Sequence, residues 1–207
     1  MLVFSASLRA QSLNTRLATL AANTLAAGGA TVDLAAMREF DCPSYDADVQ
    51  DLQGFPDGVE QFRRRLEAAH AFVISSPEYN FSMPGLLKNL IDWASRYQPQ
   101  PFKDKHALLL SASPSMAGGN RGLWTLRMPL EHLGVHVYPD MFSLAQAHYA
   151  FDDHGHIANT QLQAWFNRTI TDFLALAEAA VHYPCVKSAW IEFLGEHSDP
   201  ALDRVQE

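Results

Sequence analysis

The stretch from Phe72 to Arg96 constrains the fold of this chain more than any other. It opens with Phe72-Val73-Ile74, an apolar run typical of a strand buried on both faces of a sheet. After a polar loop, apolar side chains recur at the spacing of one helical face, and Pro84 is placed as the first helical residue. A loop between such a strand and helix lies at the carboxyl edge of a parallel sheet, where ligands of open α/β folds bind. The loop from Pro77 to Ser82 is therefore a candidate site floor, although most such loops bind nothing.

Similar apolar runs and amphipathic segments alternate along the rest of the chain. They predict strands at 1–4, 31–35, 72–74, 107–110 and 135–138, the last resumed at 141–144. They predict helices at 13–28, 59–69, 84–94, 123–133 and 160–181, with a break or bend near Pro129. This alternation indicates an α/β fold with a doubly wound, five-stranded parallel sheet and helices on both faces. The first strand is short for a central one, and the acidic segment 41–57 is expected to be a surface loop.

Length and charge limit the classes of protein to which the chain can belong. A chain of 207 residues suits one domain, expected at 1–183, followed by an extension at 184–207. Because the extension contains Trp190, Ile191, Phe193 and Leu194, we expect it to pack on the domain or on a partner subunit. The net charge of −8 argues against nucleic-acid binding. No apolar run is long enough to span a membrane and no secretion signal is seen, so a cytoplasmic location is expected.

The first loop, after the first strand, has the composition of an anion site. Ser7, Ser12 and Asn14 supply neutral donors, Arg9 supplies charge, and the following helix presents free backbone N–H groups. The glycine-rich motifs of dinucleotide and triphosphate sites are absent from this loop. A serine that simply caps the helix would explain Ser12 alone, but not the combination with Arg9.

Two further loops could hold a flat ring between them. Tyr79 and Phe81 of the second loop could contact such a ring, although aromatic loop residues are more often partly buried packing. The third loop leaves the fourth strand in the segment 111–122, whose small residues would let the backbone approach a flat ligand closely, and the ring would lie against its part from Ser113 to Gly119. Glu78 could act as an acid or base, but a carboxylate that caps its own turn is the preferred interpretation.

These residues also resemble the NADPH-dependent FMN reductase family. Ala6-Ser7-Leu8-Arg9 with Ser12 and Asn14 is similar to its phosphate loop G-S-L-R-x-x-S-x-N, with alanine in place of the first glycine. The segment 77–96 resembles its P-E-Y-N-x-S-x-P-G-x-L-K-N-x-x-D-W motif. Ser113-Pro114, Gly118-Gly119 and Arg121 are similar to its third loop, and Phe151-Asp152 with Gly155 to the lead-in to its final helix. The resemblance covers residues 1–180.

The resemblance implies a flavodoxin-like fold, non-covalently bound FMN, and a homodimer or homotetramer. NADPH or NADH would supply hydride to the flavin, which would reduce a small acceptor such as a quinone, a flavin, an azo compound or a metal oxyanion. The flavin would carry the chemistry, so no catalytic side chain and no metal ligand is assigned. The phosphate would lie against Ser7, Arg9, Ser12 and Asn14. The ring would lie against Pro77, Glu78, Tyr79, Asn80, Phe81 and Ser82, with Ser113, Gly118 and Gly119 on the third loop.

Two alternatives of other classes stay open. One is a flavin-binding electron carrier or sensor without reductase turnover. The other is an interaction module that binds no flavin.

Overall fold

The structure is a computed structural model, and it describes residues 1–182. The predicted extension at 184–207 therefore lies outside the described residues. The strands are β1 (Leu2–Ser5), β2 (Asp33–Ala36), β3 (Ala71–Ser75), β4 (His106–Ala112), β5 (His136–Val137) and β6 (Phe142–Leu144). The helices are α1 (Leu13–Ala27), α2 (Ala47–Gln53), α3 (Asp57–Ala68), α4 (Gly85–Ala94), α5 (Asn120–His132), α6 (Ala147–Ala150) and α7 (Thr160–His182), with a 3₁₀ turn at Met37–Phe40.

The strands form one parallel sheet in the order β2-β1-β3-β4-β5. The last position in this sheet is shared by two short segments. β5 pairs with the start of β4 through His136 and His106, whereas β6 pairs with its end through Phe142 and Leu110. Pro139 lies between the two segments, and proline cannot donate to a strand ladder. The predicted parallel sheet is confirmed, and its order is that of flavodoxin-like folds.

Both faces of the sheet are covered by helices. Leu2 and Phe4 of β1 belong to one core, which helices α3, α4 and α5 complete. Val3, between them, belongs to the second core, which is formed with α1 and α7. Because successive side chains enter opposite cores, every position of β1 and β3 is buried. This explains the uninterrupted apolar runs from which the sheet was predicted.

Several boundaries differ from the prediction. The expected loop at 41–57 contains α2, which is capped by Asp46 and buries none of its residues. It therefore carries no apolar periodicity from which a helix could be predicted. Pro84 caps α4 rather than being its first residue, and α5 continues through Pro129 to His132. Pro129 lacks the N–H that would bond to the carbonyl of Thr125, so α5 continues through it with one backbone hydrogen bond fewer.

Candidate functional site

The first loop (residues 6–12) leaves the sheet at the end of β1. The N–H of Ala6 donates to the carbonyl of Ser75 at 2.9 Å, which fixes the start of the loop against β3. Ala6 is buried and is not among the described residues with a positive φ, so alanine fits where the family pattern has glycine. The Ser12 hydroxyl accepts from the N–H of Thr15 at 3.3 Å and caps α1. The Ser7 hydroxyl accepts from the N–H of Arg9 at 3.3 Å.

Arg9 and Asn14 lie in contrasting environments. The Arg9 side chain is exposed, and within residues 1–182 it forms no ion pair, so its charge is available to a ligand. Asn14 is buried, with 3% of its surface exposed. Its amide nitrogen donates to the carbonyl of Ala112 at 2.9 Å, while its amide oxygen accepts from the N–H of Ala112 at 2.9 Å and from the hydroxyl of Ser75 at 3.1 Å. Asn14 thus links α1 to the ends of β3 and β4.

The second loop (residues 77–83) contains a two-residue hairpin turn. The N–H of Tyr79 donates to the carbonyl of Ser82 at 2.9 Å, and the N–H of Ser82 donates back at 3.0 Å. Asn80 and Phe81 have φ values of 51° and 67°, the left-handed pair of a type I′ turn. Asparagine accepts this conformation readily, but a bulky residue such as phenylalanine rarely does. Tyr79 and Phe81 are 53% and 64% exposed, although Arg121 covers one face of the Phe81 ring.

Glu78 connects the second loop to α5. Its side chain is only 9% exposed, and its carboxylate pairs with the guanidinium of Arg121 at 2.7 Å. The second carboxylate oxygen accepts from the N–H of Gly122 at 3.1 Å, at the amino end of α5, where an acidic side chain is favoured. The Arg121 guanidinium in turn lies 3.6 Å from the centre of the Phe81 ring. The expectation that Glu78 caps its own turn is therefore wrong, because its partners are on another element.

Gly122 and Thr125 complete the attachment of this loop. A Cβ atom on Gly122 would lie 3.1 Å from the Cβ of Glu78 and 3.2 Å from the carbonyl oxygen of Ser82. The hydroxyl of Thr125 accepts from the N–H of Met83 at 3.1 Å and donates to the carbonyl of Gly122 at 2.9 Å. Neither residue was among the predicted site residues, although Gly122 is the last residue of the segment 111–122 whose small residues were noted in the sequence. No motif in the sequence distinguishes Thr125.

The third loop (residues 113–119) ends in two glycines with positive φ. Gly118 and Gly119 have φ values of 63° and 87°. A Cβ atom on Gly119 would overlap the Ser111 hydroxyl, and one on Gly118 would lie 3.0 Å from the backbone of Ser143. The close approach that the sequence predicted here is therefore made to strands β4 and β6 of the protein itself. The Ser113 hydroxyl accepts from the N–H of Ser115 at 3.2 Å and orders the first part of the loop.

The sheet topology brings the three loops to one edge. They follow β1, β3 and β4, which are neighbours in the sheet, and the chain reverses its winding direction between β1 and β3. Asn14 ties α1, directly after the first loop, to the end of β4, and Glu78 ties the second loop to the helix that follows the third. Ligands of open α/β folds bind at such a switch point.

The residues at this edge fit the chemistry of a flavin nucleotide. The Arg9 guanidinium, which forms no ion pair with the described part of the chain, the Ser7 hydroxyl and the N–H groups at the start of α1 suit a phosphate. The exposed rings of Tyr79 and Phe81 suit a flat ring system. Fold and site together define a flavodoxin-like α/β protein. Among residues 1–182, no helix has the length and apolar character that a membrane span requires.

Comparisons with known proteins identify the family. The profile of NADPH-dependent FMN reductases matches residues 1–149. The chain therefore belongs to the NADPH-dependent FMN reductase family. An NAD(P)H-dependent FMN reductase of Pseudomonas aeruginosa is 39% identical over 177 residues, which are 79% of this chain and 93% of that protein.

Further relatives agree with this assignment. A quinone reductase of Escherichia coli is 45% identical over 97 residues, 47% of this chain and 52% of that protein. The solved structure of FerB, a flavoenzyme NAD(P)H:acceptor oxidoreductase of Paracoccus denitrificans, superposes with a TM-score of 0.73 at 26% identity and covers 86% of this chain and 96% of that one. The predicted fold, the oxidoreductase class, and the use of FMN and NAD(P)H are thereby confirmed. The individual site residues stay predictions.

Proposed function

We propose that this protein transfers hydride from NADPH or NADH to FMN bound at the edge formed by the three loops, and that electrons then pass to a small acceptor, for which a quinone is the best candidate. The single observation that carries the proposal is that three loops leave the sheet at its switch point and carry an arginine with no ion pair within residues 1–182, hydroxyl groups and exposed aromatic rings. The quinone-reducing relatives support the choice of acceptor.

In the first loop, the direct contacts to the phosphate come from Ser7, Arg9 and the backbone N–H groups at the start of α1. A hydrogen bond to a charged group contributes about 1.5 to 3 kcal/mol, and the helix dipole adds about 0.3 to 1 kcal/mol. Ser12 and Asn14 are already bonded within the protein, so their contribution is to hold the loop in shape.

In the second loop, the hairpin turn places the ring contacts. Pro77 and Glu78 fix the start of the loop, and Tyr79, Asn80, Phe81 and Ser82 form the turn against which the ring lies. Ser113, Gly118 and Gly119 form the opposite wall. FMN, when bound, supplies the redox chemistry of its ring system. The protein contributes position and electrostatics, and the Glu78–Arg121 pair keeps the loop attached to α5 so that its geometry is set in advance.

We also propose that the protein forms a homodimer through the face beside this site. Trp124 and Met128 lie one turn apart on α5 and are 57% and 72% exposed. Tyr79, Phe81 and the 76% exposed Met116 of the neighbouring loops extend the apolar surface. Such surface is typical of a protein interface. A homotetramer would require a second face of this kind. The cytoplasmic location and the division at residue 183 stay predictions.

The test is the visible absorption spectrum of the protein with FMN, recorded without oxygen before and after addition of NADPH. The proposal predicts flavin bands that bleach in a two-electron step and return when a quinone is added, over many cycles. Persistent flavin bands, or a one-electron radical absorbance without turnover, would instead identify an electron carrier. A protein that stays colourless with added FMN would identify a module that binds no flavin.

A further inference from the structure

A cavity lies at the amino edge of the sheet, opposite the three loops of the proposed FMN site. Its volume is about 390 Å³. It is enclosed by the residues at the start of β1 and β2, by the turn from α3 into β3, and by the last turns of α7. Within residues 1–182 none of the three loops contributes to its lining, so it is separate from the proposed FMN site.

The apolar face of α7 forms one wall of this cavity. Leu174, Ala177 and Val181 recur at spacings of three and four residues, which places them on one side of the helix. Leu174 and Ala177 are 6% and 3% exposed and belong to the second core, but Val181, one turn further on, is 43% exposed. Ala69, which follows α3, is buried and also lines the cavity. The apolar face of α7 therefore continues one turn beyond the part of it that residues 1–182 cover.

The charges at the cavity are compensated or exposed. Arg65 is the arginine in the lining, and its guanidinium pairs with Asp33 at 2.6 Å and with Glu39 at 2.7 Å. The Met1 amino group donates to the carbonyl of Thr31 at 2.6 Å. The other titratable side chains of the lining are exposed and can stay hydrated when an apolar group enters the cavity: His70, Glu178 and His182. The cavity therefore suits apolar side chains rather than a small charged molecule.

The chain itself supplies such side chains directly after the cavity. Val181 and His182 are the last residues that the structure describes, and both line the cavity. Pro184 disfavours a helical conformation at the residue before it, so the sequence predicts that the chain leaves the axis of α7 at this point. An extended chain spans about 3.3 Å per residue, so the eight residues from His182 to Trp190 can span about 26 Å, which exceeds the size of the cavity. Further apolar residues adjoin Trp190, namely Ile191, Phe193 and Leu194.

We propose that the segment 183–207 folds back onto its own chain and docks these apolar residues on the cavity, with Trp190 as the side chain that enters it. Tryptophan offers the largest apolar surface of the segment, and in the docked arrangement it covers Val181. A second copy carries the same residues, but a short tether gives an effective concentration on the order of 1 mM, which favours the chain's own segment. The proposal does not rest on the proposed function, because the cavity and the FMN site lie at opposite edges of the sheet.

The first test compares single and double substitutions by urea unfolding of the full chain. Val181→Ala and Trp190→Ala should each lower the urea midpoint by about 0.5 M or more, because docking buries both side chains. The shift of the double variant should fall clearly short of the sum of the two single shifts, because both substitutions remove the same contact.

Leu176→Ala is the matched control for Val181→Ala. Leu176 is 41% exposed on the same helix and is not among the residues that line the cavity. Its substitution should change the midpoint by less than about 0.2 M. Equal shifts for Val181→Ala and Leu176→Ala, or strictly additive shifts for Val181→Ala and Trp190→Ala, would overturn the proposal.

A second test identifies the occupant directly. The photoreactive residue p-benzoylphenylalanine replaces Trp190 in the full chain, and the cross-links that form under light are mapped by mass spectrometry. The proposal predicts a product with the mass of a single chain, in which position 190 is joined to residues 65–70 or 174–182. A product with the mass of two chains would show that a second copy fills the cavity. Cross-links to other surfaces alone, or no cross-links, would show that the segment does not dock there, and each of these results would overturn the proposal.

Discussion

Replacement of Asn14 by alanine should destabilise the fold at the carboxyl edge of the sheet. The free energy of unfolding should fall by more than the free energy of FMN binding does. The substitution removes three hydrogen bonds and leaves the N–H and carbonyl of Ala112 and the hydroxyl of Ser75 without their partner. Each buried polar group that loses its partner costs about 1 to 3 kcal/mol. Because Asn14 is almost fully buried, water can replace only part of these bonds. We expect the free energy of unfolding to fall by about 2 to 4 kcal/mol, a large fraction of the total for a domain.

The assay is urea unfolding of the flavin-free protein, since a bound ligand would add to the apparent stability. Asn23→Ala is the matched control, because Asn23 is exposed on the same helix. It should change the free energy of unfolding by less than about 0.5 kcal/mol. The reasoning is refuted if Asn14→Ala unfolds like the unmodified protein and yet binds FMN more weakly, because Asn14 would then be a phosphate ligand rather than a structural link.

Three further predictions concern residues outside the first loop. Gly119→Ala should lower the free energy of unfolding by at least about 2 kcal/mol in urea, because its positive φ and the nearby Ser111 hydroxyl exclude a Cβ atom; an unchanged midpoint would contradict this. Burial raises the pKa of the Cys42 thiol to about 11. In a Cys185→Ser background, iodoacetamide should therefore modify the protein slowly at pH 8, and stability should fall as the pH rises above 9; alkylation at the rate of an exposed thiol would exclude the burial. The hydrogen bond from Arg65 lowers the pKa of Asp33, so the stability that this pair contributes is present above pH 3.8 and is lost as the pH falls through the lowered pKa. The difference in Tm between the unmodified protein and Arg65→Met should shrink in acid, and a constant difference would contradict the assignment.

The sheet could be predicted because its strands are buried on both faces. Each strand then appears in the sequence as an apolar run. The alternation of these runs with amphipathic helices is typical of a parallel sheet covered by helices on both faces. The split of the last strand was also visible in the sequence, since Pro139 interrupts it. The helix α2 could not be predicted, because none of its residues is fully buried and a single half-buried apolar residue, Val49, contacts the core, so no apolar face repeats along it.

The positions of the three loops at one edge of the sheet could be predicted, but the hydrogen-bond partners of their side chains could not. Asn14 and Ala112 are 98 residues apart, and Glu78 and Gly122 are 44 residues apart. From the sequence alone, a polar residue in a loop is interpreted as a ligand contact or as a cap of its own turn. Only the fold shows that Asn14 and Glu78 are bonded to distant elements, which leaves Ser7 and Arg9 as the side chains of the first loop best placed to meet a phosphate.

The measurement that tests this account most directly is the affinity of the flavin-free protein for FMN, followed by quenching of flavin fluorescence. Arg9→Ala should weaken binding about 10- to 100-fold, the loss expected for a hydrogen-bonded charge on a phosphate, with an unchanged unfolding curve. Arg168→Ala should bind FMN as the unmodified protein does. If Arg9→Ala binds FMN within about two-fold of the unmodified protein, the first loop does not hold the phosphate and the proposed site is wrong.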